Sequence, residues 1–273
     1  LYMEIIQFKF FQYAIIGSLL ASIACGIIGT YIVCKRLVFI SGGLTHSSLG
    51  GIGIGLYTGF SPLASAAIFS ILSGFGVEWL SKNRNIREDS AIAVFWTFGM
   101  AVGVIFTFMG SGFTPELSTY LFGNILTIST GDLYFIGAVA LGLSIFFAIF
   151  IIPIKVIAFD REYAKSQRMP VEWFEYTLMM FISLTIVATL HMIGIVLVIS
   201  LLTIPQMTAN LFTNKFSAII WISILIGFIG CLGGLFLSYK LHVPSGASII
   251  FFSILMYVFC KIFIQINNKF RLT

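Results

Sequence analysis

Apolar stretches of about 18 residues or more recur along this 273-residue chain, and no other feature constrains its fold as tightly. Each is long enough to cross a hydrocarbon layer of roughly 30 Å as an α-helix, and a backbone in lipid must satisfy its own hydrogen bonds. Runs of this length predict helices and not the strands of a barrel. With 59% hydrophobic residues and a mean hydropathy of +1.07, the chain is too apolar for a soluble domain. The expected fold is all-α: a polytopic transmembrane helical bundle of eight or nine spans, one domain over residues 1–273 with no detectable repeat. No short apolar run followed by a small-residue cleavage site stands at the N-terminus, so no removed signal peptide is expected.

Taken in order, the predicted spans run from about Phe11 to Cys34, Leu37 to Tyr57, Pro62 to Leu80, Ser90 to Met109 and Leu133 to Phe159. Four more follow, at Trp173 to Met192, Gly194 to Phe212, Phe216 to Tyr239 and Ser245 to Ile266. Between the fourth and fifth, GSGFTPELSTYLFGNILTISTGD is too polar and Gly-broken for a crossing. Its apolar centre at Tyr120 to Ile125 predicts a short or re-entrant segment on the outer side.

Nine crossings put the N-terminus outside and the C-terminus inside. Lys35, Arg36, Lys82, Arg84, Arg87, Lys155, Arg161, Lys165, Arg168, Lys215, Lys261, Lys269 and Arg271 then lie inside, and only Lys9 and Lys240 outside. This is the positive-inside bias of a multi-pass membrane protein. The net charge of +5 is spread over short loops with no basic stripe, so orientation accounts for it and no nucleic-acid partner is expected.

The densest charge falls just before the sixth span. Asp160, Arg161, Glu162, Lys165 and Arg168 lie within nine residues, and Pro170 stops any helix they form. A short helix of about two to three turns outside the bilayer is expected from this length. Phe159 and Tyr163 could serve as apolar anchors in a partner's groove; the alternative is a solvated loop that merely sets topology.

The chain offers no enzyme motif. It lacks G-x-x-x-x-G-K-[ST], H-E-x-x-H and G-x-S-x-G, so it is no ATPase of the P-loop kind, and no catalytic residue is assigned. Cys25, Cys34, Cys231 and Cys260 are widely spaced in apolar segments and read as packing residues.

Two spaced phrases carry a family resemblance. Ala158, Phe159, Asp160, Glu162 and Ala164 fit A-F-D-x-E-x-A, and Ile193, Gly194, Leu197, Val198, Leu201, Leu202, Pro205 and Ala209 fit V-G-x-x-L-V-x-x-L-L-x-x-P-x-x-x-A. In these the chain resembles the integral-membrane permease of metal-type ABC importers, which carry zinc, manganese or iron. LFGNILTIS is similar to a further family phrase. The resemblance implies a permease subunit in the bacterial cytoplasmic membrane that is itself no enzyme. It implies a homodimer, a separate cytoplasmic ATP-binding subunit and an extracytoplasmic metal-binding protein. It also implies that no cofactor is permanently bound, the divalent ion being cargo. Residues 158–171 become the coupling segment that meets the ATPase through Phe159, Asp160, Arg161, Glu162, Tyr163 and Lys165.

The histidines are the metal candidates. His46 lies ten residues past Arg36, roughly 15 Å deep at 1.5 Å per residue, in the small-residue phrase SGGLTHSSLGGIGIG. A neutral imidazole suits transition metals, and at that depth it needs a partner or a wet path. Thr45, Ser41 and Ser47 could add oxygen contacts; the competing reading is a packing hydrogen bond to a neighbouring helix. His191 near the outer end of its span and His242 in the last outer loop are further metal candidates, against an interfacial hydrogen bond and a solvated loop residue respectively. Met192 and Met207 could add sulfur but read as packing, Glu116 and Asp132 stand near the outer mouth, and Glu78 is expected to pair with a loop Lys or Arg. The chain departs from its family in one respect: manganese and zinc members carry D-x-L-[SA]-H-A, and here the Asp position is Gly42. Loss of that carboxylate leaves the metal open and keeps a rival reading, a permease for a metal chelate such as a siderophore or corrinoid; a rival of another class is a carrier or channel that needs no ATPase. Few intramembrane carboxylates argue against ion coupling.

Overall fold

The computed structural model describes residues 9–83, 86–110, 125 and 128–271. The expectations placed on Glu116 and on most of Tyr120 to Ile125 lie outside the described residues. Eleven α-helices are described: α1 Lys9–Cys34, α2 Val38–Thr58, α3 Pro62–Asn83, α4 Glu88–Met109, α5 Thr130–Phe159, α6 Arg161–Ser166, α7 Val171–Ile193, α8 Ile195–Leu201, α9 Ile204–Asn210, α10 Phe216–Leu241 and α11 Ser245–Arg271. The described residues hold no strand.

Seven helices, α1, α3, α4, α5, α7, α10 and α11, are long and apolar enough to cross a membrane. The second predicted span, Leu37 to Tyr57, is α2, which has the length of a crossing but trades apolar bulk for Gly, Ser and Thr. The seventh predicted span, Gly194 to Phe212, differs from expectation. It is broken at Leu202 and Thr203 into α8 and α9, because Pro205 can occupy the first turn of a helix but not the middle of one. Thr203 takes a non-helical φ/ψ of −130°/−52°, and Leu202 and Thr203 are both buried. A Pro also marks the bend in α5, where Phe150 leaves helical geometry three residues before Pro153.

Small residues decide which helices meet most closely. α2 lies against α4 with backbone on backbone: a Cβ on Gly50 would sit 2.8 Å from the Gly99 carbonyl oxygen, and one on Gly53 2.6 Å from that of Gly103. Reciprocally, a Cβ on Gly103 would be 2.7 Å from Leu49 O, and one on Gly99 would run into the backbone of Ser47. Such approach replaces the hydrophobic drive that lipid cannot supply with dispersion contact. α2 also packs on α3, α1 on α5 and α10, α7 on α3 and α5, and α10 on α11, while α8 and α9 fill the space between α1, α2, α10 and α11. Outward faces carry the large apolar side chains, Phe98 and Phe108 on α4, Ile149 and Ile152 on α5 and Trp221 on α10, as a lipid-facing surface requires.

Candidate functional site

At one end of the bundle the chain turns sharply between α5 and α7. Asp160 caps both sides of the turn, ending α5 in an extended conformation (φ −147°) and accepting the Tyr163 N–H at 2.9 Å to start α6. α6 has six residues, fewer than two turns and shorter than its sequence suggested. Arg168, at φ 56°, and Pro170 then lead into α7. Phe159 and Tyr163 are exposed, at 65% and 53%, whereas Ala164 is fully buried beneath them. Glu162 and Lys165 pair with each other at 3.0 Å on the outer side of α6.

The inner side of α6 meets an ion cluster that the sequence did not announce. Glu175, on the second turn of α7, is 2% exposed and takes three cations from three other segments. Lys35 Nζ, just past α1, stands 3.0 Å from Oε1. Lys82 Nζ, at the end of α3, is 2.7 Å from Oε2. Arg161 of α6 donates from Nε to Oε1 at 3.0 Å and from Nη2 to Oε2 at 3.4 Å. Lys82 also reaches Glu78 Oε1 at 2.7 Å, so Glu78 has the lysine partner expected of it. Burial works against the charged forms of Lys35 and Arg161. The surrounding partners outweigh it, chiefly Tyr31 and Glu175 at Lys35 and Glu175 at Arg161, and hold both pKa values above the ordinary range. A cavity of about 560 Å³ opens beside the cluster, bounded also by Glu88, Glu172 and Lys165.

His46 is the ninth residue of the 21-residue α2, near its middle. Its ring stacks on Trp96 of α4, with centroids 4.7 Å apart and planes within 7°. Nδ1 of His46 is buried without a hydrogen-bond partner among the described residues. The same indole borders Gly42, since a Cβ there would lie 3.5 Å from Trp96 Cζ3, and Trp96 Nε1 faces Met100 Sδ at 3.2 Å. Thr45 is fully buried and gives its hydroxyl proton to the Ser41 carbonyl, one turn back along its own helix. Ser41 likewise donates to Val38 O, and Ser47 to Leu44 O at 3.4 Å.

At the other end of α7, His191 meets Asp132 of α5. Nδ1 lies 2.8 Å from Oδ1, and the imidazole is 43% exposed. Asp132 is held in a capping box: its Oδ2 accepts the Ser129 N–H at 3.0 Å and the Ser129 hydroxyl at 2.7 Å, while Ser129 Oγ accepts the Asp132 N–H. A carboxylate at Nδ1 fixes the orientation of the imidazole and leaves Nε2 as its other ring nitrogen. Met192 points the other way, buried with its methyl group against Gly17. His242 terminates α10 in the left-handed region, φ 54°, and is exposed.

The structure therefore distributes the sequence candidates along the bundle instead of gathering them. His46 sits at mid-depth, His191 at the end opposite Glu175, and His242 beyond α10. Among the described residues, no three His, Cys, Asp or Glu side chains are grouped to hold one metal ion. The four cysteines are free.

Residues 7–264 match the family described as the ABC 3 transport family. The manganese transport system membrane protein MntC of Halalkalibacterium halodurans is 32% identical over 251 residues, which cover 90% of this chain and 85% of that protein. A probable metal transport system membrane protein of Chlamydia trachomatis is 35% identical over 232 residues, 83% of this chain and 79% of the relative. Among solved structures, PsaBC from Streptococcus pneumoniae in complex with Fab superposes with a TM-score of 0.82 at 26% identity, covering 93% of this chain and 91% of that one.

Proposed function

We propose, from the premise that this chain belongs to the ABC 3 transport family of metal-type ABC permeases, that it is the membrane-spanning subunit of an importer for a divalent transition metal, zinc, manganese or iron. Two copies enclose the path, a separate ATP-binding subunit docks on α6 and drives the cycle, and an extracytoplasmic binding protein delivers the ion. The Glu175 end faces the cytoplasm, in keeping with the concentration of Lys and Arg there.

The observation that carries this reading is His46, whose buried Nδ1 has no partner among the described residues although it stands in the middle of a spanning helix. An orphaned nitrogen at that depth costs free energy unless a ligand reaches it. His191 is a first contact on the outer side, oriented by Asp132, and His242 stands at the outer surface beyond it. With Gly42 in the carboxylate position, His46 offers a neutral donor, which suits a borderline ion such as zinc better than a hard one.

The test is cellular metal content in a strain lacking this protein, under zinc, manganese and iron limitation in turn. Wild type should restore one metal, and His46→Ala, at equal membrane abundance, should not. Restoration of none by wild type would overturn the metal reading, and restoration by the variant would return His46 to a packing role.

A further inference from the structure

We infer that Glu175 is a positioning residue, the tie through which movement of α6 is passed to α1, α3 and α7 together. The inference rests on the reading that α6 receives an ATPase. α6 is six residues long, too short to hold an orientation by its own backbone, so its attachments set where it points. Its outward charges, Glu162 and Lys165, satisfy each other, and Asp160 is spent on the cap. Arg161 is the side chain that reaches inward, and it engages both oxygens of Glu175. A two-bond contact from guanidinium to carboxylate fixes angle as well as distance.

That carboxylate is shared. Oε1 also holds Lys35 at the end of α1, and Oε2 holds Lys82 at the end of α3. Displacing Arg161 leaves a buried carboxylate to be satisfied by two lysines alone, so α1 and α3 must adjust with it. Glu175 itself stands on α7, whose unbroken helix spans roughly 24 Å from Glu175 to His191 at 1.5 Å per residue. Midway, Ser183 of α7 donates to the Ser70 carbonyl of α3 at 3.1 Å. A Cβ on Gly74 would touch both Ser183 Oγ and the Leu44 side chain of α2, two residues before His46. Packed elements thus run without a gap from the ion cluster to the helix that carries His46.

The measurement is made on the complex purified through a tag on this chain and reconstituted in vesicles, with ATP hydrolysis and uptake of zinc, manganese or ferrous ion followed in the same preparation. Arg161→Gln cuts the tie while leaving Glu175 its two lysines, and Glu175→Gln removes the shared charge. Both should keep hydrolysing ATP but move about fivefold fewer ions per ATP, or less, and Arg161→Lys should recover most of the ratio. A merely structural role would lower hydrolysis and uptake in step. An unchanged ion-to-ATP ratio in an assembled Arg161→Gln complex overturns the inference while leaving the importer reading intact. A wild-type complex that neither hydrolyses ATP nor takes up any of the three ions overturns both. Should Glu175→Gln fail to assemble, Arg161→Gln decides alone.

Discussion

The two ends of α7 solve the same problem, a carboxylate beside a cationic or basic group, in opposite ways. At one end Glu175 is buried and takes three cations, each from a different segment. At the other, Asp132 holds one imidazole that stays 43% exposed, and its remaining bonds go to its own helix cap. The first is over-determined: no one cation is indispensable, but the carboxylate is. The second is a single adjustable contact with one nitrogen left to engage something outside. On the proposed function, the rigid end is the one that transmits movement, and the end with a free donor is the one that meets the ion.

Breaking the first end should have the largest effect. Glu175→Ala strands Lys35, Lys82 and Arg161 in a mostly buried place. Removing the partner of buried charge costs about 3–5 kcal/mol, and the partial exposure of Arg161 puts this case toward the lower end. The thermal midpoint of the detergent-solubilised protein should fall accordingly. Next comes the scaffold joining His46's helix to its neighbour. Gly99→Val sets a branched side chain against the backbone of Ser47 and should cost about 1–3 kcal/mol or more, read from the same midpoint, with loss of folded yield.

The second end should respond in function and not in stability. Asp132→Asn leaves the cap residue hydrogen-bonding but removes the charge that orients His191. With His191 as the proposed first contact for the ion, half-saturating metal for uptake should rise by about tenfold with little change in thermal midpoint. The smallest effect sharpens the contrast from within the first end. Lys35→Gln takes one of three cations from Glu175 and should cost no more than about 1 kcal/mol, since Lys82 and Arg161 remain. A loss as large as that of Glu175→Ala would mean that the cluster is a chain of pairs and has no shared centre.

The bundle itself was legible because run length and hydropathy are local properties, and so was α6, marked by its charges and by Pro170. The place of His46 near the middle of α2 followed from counting residues past Arg36. The ion cluster did not follow. Glu175 in VEWFEYT reads as an ordinary acid near the start of a span, and nothing local says that residues 35, 82 and 161 converge on it. The same holds for His191 and Asp132, 59 residues apart, and for Trp96, which reads as one more apolar residue until α4 lies on α2. The break between α8 and α9 had a signal in Pro205, inside an apolar run, and the bend of α5 had one in Pro153. Hydropathy averaged over a window erases both.

That break also bears on how the middle of the bundle is held together. At the interruption the Leu202 and Thr203 N–H groups turn back to Val198 O and Ser200 O, and the Leu201 carbonyl accepts from the Gln206 side chain at 3.2 Å, so the join keeps its backbone paired where lipid would offer nothing. Gln206, just beyond it, is fully buried and donates to the Cys25 carbonyl of α1 at 2.8 Å. Residues 195–210 are therefore tied to α1 by a buried side-chain bond as well as by packing. The break at the centre of this bundle is thus latched across to a neighbouring helix and not only along its own chain.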